Sequence, residues 1–219
     1  MQHFTIAIDG PAGAGKSTIA KKLAKKLEYI YVDTGAMYRA MALYFIRNHI
    51  AASDKKEIEA ACQKVEIEIA YKNGEQQVLL NGENVTGFIR TEEVGKMTSA
   101  ISVYPAVRQK LVELQRTLAA KNNVIMDGRD IGTCVLPQAQ LKIYLTASAE
   151  ARAERRHKEL VEKGGNPVLE EIKKDIEERD FRDMNREISP LKQAEDAIFL
   201  DTSHMGIEEV VEAIIKLKR

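Results

Sequence analysis

The chain has 219 residues, enough to bury a full core yet short enough for one domain with small appendages. Lys plus Arg equals 33 and Asp plus Glu equals 33, so the net charge is zero and no overall field favours nucleic acid. Cys62 and Cys134 lack C-x-x-C spacing and His3, His49, His157 and His204 are scattered, which argues against a disulfide framework or zinc site and for a reducing compartment. No apolar run approaches the roughly 18–20 residues of a membrane span, and the first residues enter a strand-like run rather than a signal peptide. A soluble, cytoplasmic, monomeric protein is expected, without nucleic-acid or membrane partners.

In chain order, Phe4–Ile8 is short, apolar and β-prone and ends at Asp9-Gly10, as a buried parallel strand would. It delivers Gly10-Pro11-Ala12-Gly13-Ala14-Gly15-Lys16-Ser17-Thr18, which spells Gly, four residues, then Gly-Lys-Ser, and runs into the helix-like Ile19–Leu27. Glycines let successive N–H groups turn toward one anion, and the helix start adds its own free N–H groups and positive dipole end. Lys16 can reach the β- and γ-phosphates of a nucleoside triphosphate, and the Ser17 hydroxyl suits Mg²⁺. Tyr29–Val32 forms a second strand, broken at Asp33-Thr34-Gly35. Met37, Ala40, Met41, Tyr44 and Phe45 then recur at helical spacing. Asp54-x-x-Glu57 resembles a capping box ahead of Ile58, Ala61, Cys62 and Val65.

From Glu66 the period falls to two. Ile67, Ile69 and Tyr71 alternate with polar residues, Asn73-Gly74 supplies a turn, and Val78-Leu79-Leu80 runs into Asn81-Gly82, a small antiparallel meander. Set within a βα alternation, it reads as an insertion over 62–91 on the rim of the main sheet. Thr91 is a candidate helix cap, and Pro105 opens a helix striped by Val107, Leu111, Leu114 and Leu118. Val124–Met126 and Leu141–Leu145 are further buried strands, the former ending in Asp127-Gly128-Arg129-Asp130. After Ser148 the chain is charged and helical, breaks at Gly164-Gly165-Asn166-Pro167, and resumes through Glu178 as a mobile helical hairpin. Ala197–Asp201 is the fifth strand, and Ile207, Val210, Val211, Ile214 and Ile215 mark the closing helix. The fold class is α/β: a five-stranded parallel sheet with helices on both faces, a small antiparallel insertion and a helical lid. One domain spans 1–219, with core segments 1–61, 92–150 and 187–219, the insertion 62–91 and the lid 151–186.

Arginines follow several strand ends or sit on the charged hairpin: Arg39, Arg108, Arg129, Arg155, Arg156, Arg179, Arg182 and Arg186. Guanidinium groups bind phosphate bidentately and stay charged, as phosphoryl transfer requires. Asp33 and Asp127 close strands beside the expected phosphate site, where a carboxylate can orient Mg²⁺ through water, accept from a substrate hydroxyl, or simply cap a helix.

Four stretches in register, Gly10–Thr18, Asp33–Arg39, Asp127–Thr133 and Arg179–Arg186, closely resemble the bacterial cytidylate kinases, P-loop nucleoside monophosphate kinases. The resemblance implies transfer of the γ-phosphoryl group of ATP to CMP or dCMP, with Mg²⁺. It implies that Gly10–Thr18 hold the ATP phosphates and that Arg39, Arg129 and Arg179 clamp the acceptor's phosphate. Thr34, Ser99, Arg108 and Arg186 would read cytosine, Tyr38 would line its pocket, and Asp183 would hold the sugar. Asp33, Asp127 and Asp130 complete the acceptor side, while Arg155 and Arg156 would join Lys16, Arg129 and Arg179 in catalysis as the lid closes. Some relatives have Ser at Thr34, which keeps the hydroxyl. Other small P-loop kinases, for adenylate, thymidylate or shikimate, share the first loop, but the 62–91 insertion and the Ser99/Arg108 pair argue against them. A GTP-dependent switch would carry an Asn-Lys-x-Asp motif, which the sequence lacks. A nucleotide-binding module without turnover would not need Lys16 together with the whole arginine set.

Overall fold

In the computed structural model, which describes residues 3–72 and 74–218, five strands form one parallel sheet in the order β2-β6-β1-β7-β8. They are β1 (Thr5–Asp9), β2 (Ile30–Asp33), β6 (Val124–Gly128), β7 (Leu141–Thr146) and β8 (Ile198–Asp201). The chain leaves central β1, lays β2 two places away, and later returns β6 into the gap; β7 and β8 build the other side. Strand order reverses at β1, and such a reversal opens a crevice at the carboxyl ends of the strands. The loop that follows β1 lies there.

Alternation along the strands splits the core. Ile6, Ile8, Tyr31, Ile125, Ile143 and Leu145 face α1 (Lys16–Leu27) and α8 (Ile207–Leu217). Ala7, Val32 and Met126 face the opposite layer, built from α2 (Thr34–Arg47), α3 (Lys55–Lys64), α4 (Glu92–Ile101) and α5 (Pro105–Lys121). Both layers come from strands buried on two faces, which explains their near-continuous apolar sequences.

The meander consists of β3 (Ile67–Lys72), β4 (Glu75–Leu80) and β5 (Glu83–Asn84), antiparallel in that order. Of its expected turn Asn73-Gly74, Asn73 lies outside the described residues; Gly74 has φ +78°. The Tyr71 hydroxyl donates to the Tyr31 carbonyl at 3.1 Å, and the Asp33 N–H donates to Gln76 Oε1 at 2.8 Å, so the meander is tied to the end of β2. Val78 and Leu80 join the α2 side of the core.

Helix starts follow local chemistry. Asp54 accepts from the Glu57 N–H at 3.0 Å, Thr91 from the Val94 N–H at 3.3 Å, and Pro105 occupies the first turn of α5. The first helix begins three residues before the apolar pattern suggests, because Gly15 takes the left-handed conformation at its N-cap (φ 85°) and Lys16 is already helical. The hairpin comprises α6 (Ala149–Glu162) and α7 (Leu169–Asn185). The latter continues seven residues past the expected Glu178 end, since ion pairs rather than an apolar stripe fix its last turns: Asp180 pairs with Arg152 at 2.6 Å and Asp183 with Arg129 at 2.8 Å. A single π-helical turn, Ile131–Val135, follows β6, with the Val135 N–H donating to the Asp130 carbonyl at 3.1 Å and the Leu136 N–H to the Ile131 carbonyl at 2.7 Å. No helix among the described residues is long and apolar enough to cross a membrane.

Candidate active site

At the carboxyl edge of the sheet lies a cleft of about 260 Å³, walled by the β1–α1 loop, the start of α2, the ends of α4 and β6, and the last turns of α7. The β1–α1 loop needs its glycines. Gly10 has φ +150°, and a Cβ there would sit 1.9 Å from the Leu145 carbonyl oxygen, so β7 forbids any side chain. Gly13 and Gly15 hold φ +75° and +85°, turning the chain around the cavity beneath it.

Lys16 is buried and curls back to donate to the Pro11 carbonyl at 2.6 Å. Burial draws its pKa down to about 7, the Arg129 charge adds to this, and Asp127, Asp9 and Asp183 oppose it. An anion seated in the loop would raise it again. Ser17 Oγ donates to Asp127 Oδ2 at 2.9 Å, and the Tyr31 hydroxyl donates to Asp127 Oδ1 at 2.9 Å. Burial, with the charge of Asp33, raises the Asp127 pKa to about 6.

Asp33 caps α2, accepting from the Ala36 N–H at 2.9 Å through Oδ1, while Oδ2 meets Arg90 at 2.5 Å. Thr34 Oγ1 donates to the Asp127 carbonyl at 2.7 Å, pinning α2 to β6. Arg39 donates to the Ile89 carbonyl at 3.2 Å; burial and the nearby charges of Arg90 and Arg179 lower its pKa, the mark of crowded cations short of an anion. Arg129 pairs with Asp183, and although burial opposes it, the Arg129 guanidinium holds the Asp183 carboxyl below its ordinary range.

Deeper in the cleft, Arg108 pairs with Asp130, their side chains 7% and 9% exposed, and donates to the Tyr38 hydroxyl at 3.4 Å. Burial pushes the Tyr38 phenol up to about 12. Arg186 stands 3.8 Å from Asp130 and donates through Nε to the Ser189 carbonyl at 2.6 Å. Its Nη2 is buried without a hydrogen-bond partner among the described residues. Ser99 lines the same wall from α4.

The cleft therefore gathers Ala12, Gly13, Lys16, Ser17, Asp33, Thr34, Tyr38, Arg39, Ser99, Arg108, Asp127, Arg129, Asp130, Arg179, Asp183 and Arg186 from the residues anticipated by sequence. It does not gather Arg155 or Arg156. Arg155 donates to the Thr202 carbonyl at 2.6 Å, and Arg156 is exposed beside Glu159. Sequence reasoning overlooked two arginines. Arg90 lines the cleft from the turn directly before the Thr91 cap. Arg152 is buried on α6, pairs with Asp180 and donates to the Ala12 carbonyl at 2.9 Å. Its signal is its placement beside Ala153, the buried apolar residue of an otherwise charged helix.

A glycine loop with Lys-Ser at a helix start, on a parallel sheet whose order reverses beside it and facing an arginine-lined cleft, defines a P-loop kinase. A shikimate kinase from Bacteroides thetaiotaomicron shares the fold, with a TM-score of 0.51 at 14% identity over 98% of this chain and 97% of that one. The sequence profile of the cytidylate kinase family matches residues 6–219. Cytidylate kinases from Carboxydothermus hydrogenoformans and Listeria welshimeri are 51% and 54% identical, covering 97% and 99% of this chain and 96% of each relative. The chain belongs to the cytidylate kinase family.

Proposed function

We propose that this protein transfers the γ-phosphoryl group of ATP to CMP or dCMP, giving ADP and CDP or dCDP. The observation that carries this reading is the Arg108–Asp130–Arg186 group at the floor of the cleft. Cytosine presents an exocyclic amino donor beside two acceptors, the ring nitrogen N3 and the carbonyl O2. The Asp130 carboxylate suits the amino group, and the unpartnered Arg186 Nη2 suits the acceptor edge. Uracil would turn a carbonyl toward Asp130 and leave buried polar groups unpaired, which is how a polar site rejects a near-isostere. Thr34 and Ser99 supply hydroxyls at the same wall and Tyr38 packs beside the base. Asp183 accepts from the sugar.

Above the base, Arg39, Arg129 and Arg179 converge on the acceptor's phosphate, with Arg90 next to Arg39. Gly10–Thr18 wrap the donor phosphates, and Lys16 leaves the Pro11 carbonyl for the transferring group. A CMP phosphate oxygen attacks the γ-phosphorus as the bond to the β-phosphate oxygen breaks. That oxygen is already anionic, so no general base is required, and catalysis is alignment plus neutralisation by fixed cations. The Ser17 hydroxyl and Asp127 carboxylate, hard oxygen donors 2.9 Å apart, would hold Mg²⁺. When bound, it neutralises charge on the donor phosphates.

The hairpin α6–α7 serves as lid. Among the described residues α7 has no buried side chain, and its hold on the core comes from ion pairs. Arg152 already reaches the phosphate loop; Arg155 and Arg156 act once the hairpin has moved. Closure excludes water that would otherwise hydrolyse ATP. The test is acceptor-dependent ADP release from Mg-ATP with CMP, dCMP, UMP, AMP and shikimate in parallel. CMP and dCMP should exceed the others in kcat/KM; UMP or AMP turnover equal to that of CMP refutes the base assignment.

A further inference from the structure

One buried carboxylate at the crevice does not line the cleft. Asp9, the last residue of β1, is 5% exposed, and its two oxygens accept from the backbone N–H groups of Ile131 and Gly132, both at 2.7 Å. These are the first two residues of the π-helical turn, whose leading N–H groups have no partner within the turn. The residue at its N-cap position is Asp130, the type that ordinarily caps a helix through its own side chain. Here Asp130 makes no such bond among the described residues. Its carboxylate is turned into the cleft toward Arg108 and Arg186.

We propose that Asp9 is a positioning residue for the acceptor's base: by capping the π-helical turn from the neighbouring strand, it frees Asp130 to face the substrate. Gly132 lets the carboxylate approach, since a Cβ there would stand 3.3 Å from Asp9 Oδ2 and 3.1 Å from the Lys142 side chain. The inference rests on the cytidylate kinase reading.

The test is Asp9→Asn. The shape is kept, but whichever way the amide turns, one N–H loses its acceptor and meets a donor. The Kd and KM for CMP should rise at least about tenfold and the preference for CMP over UMP should shrink, while the Kd for ATP rises clearly less than that for CMP. Gly132→Ala, which displaces the same contact without touching β1, should shift CMP in the same direction by about threefold and serves if Asp9→Asn does not fold. Unchanged CMP binding in a folded variant, or equal weakening of CMP and ATP, overturns the positioning role. Wild-type protein that does not bind CMP refutes the functional reading instead.

Discussion

Replacing Asp130 by Ala isolates the most deeply buried ion pair of the cleft. The Asp130 and Arg108 side chains are 9% and 7% exposed, so water cannot screen the guanidinium once its partner is gone. Arg186, 3.8 Å away from Asp130, would then face Arg108 with no anion between them. Removing one member of a buried pair costs about 3–5 kcal/mol, which for a domain of this size lowers Tm by roughly 6–20 °C. The comparison is Glu92→Ala, which breaks the Lys96–Glu92 pair at 78% and 82% exposure and should cost far less, because water screens both partners. Urea unfolding without nucleotide, fitted with a shared m-value, measures both. Adding Arg108→Met to Asp130→Ala should recover much of the loss, because the orphaned charge leaves with it. A loss for Asp130→Ala no larger than that for Glu92→Ala would refute the argument from burial.

Other expectations follow from the same geometry. Lys16→Ala should reduce kcat by about 10²–10³ or more with every acceptor, since it removes a fixed cation from the transferring group; single-turnover kinetics would show this. Arg186→Ala should raise KM for CMP while leaving KM for ATP unchanged, and equal damage to both would count against base reading. Gly10→Ala should prevent native folding or abolish ATP binding, because its Cβ meets the Leu145 carbonyl oxygen at 1.9 Å; circular dichroism and nucleotide titration distinguish the two. Asp127 has a folded pKa raised to about 6, above its unfolded value, so between about pH 4 and 6 the folded state binds more protons and this group's stabilisation is lost as pH rises. The stability difference between wild type and Asp127→Asn, followed by urea midpoints across that range, should therefore shift against wild type as pH increases.

The parallel core was legible because buried strands leave unbroken apolar runs: Phe4–Ile8, Val124–Met126 and Leu141–Leu145 each fell within a residue or two of an observed strand. The phosphate loop was legible because it is contiguous in sequence. The arginine-lined wall of the cleft was not. Arg108 and Asp130 meet across a separation of 22 positions and Arg129 and Asp183 across 54, pairings that no local pattern encodes. The residues themselves, though not their pairings, are what the resemblance to the family implies; Arg90 and Arg152 are not among those it supplies. The π-helical turn was missed for a related reason. Its leading N–H groups are satisfied by Asp9, more than 120 residues earlier, while Asp130, the capping-type residue directly before it, is turned elsewhere. The sequence pattern ends α7 too early because its last turns are held by ion pairs, which leave no apolar period to read.

The central claim, that the phosphate loop and the arginine-lined cleft form two facing halves of one transfer site, is tested most directly by ³¹P NMR of the protein mixed with Mg-ATP and CMP. CDP and ADP should appear in equal amounts as ATP and CMP decline together. ADP accompanied by inorganic phosphate, with CMP unchanged, would contradict it.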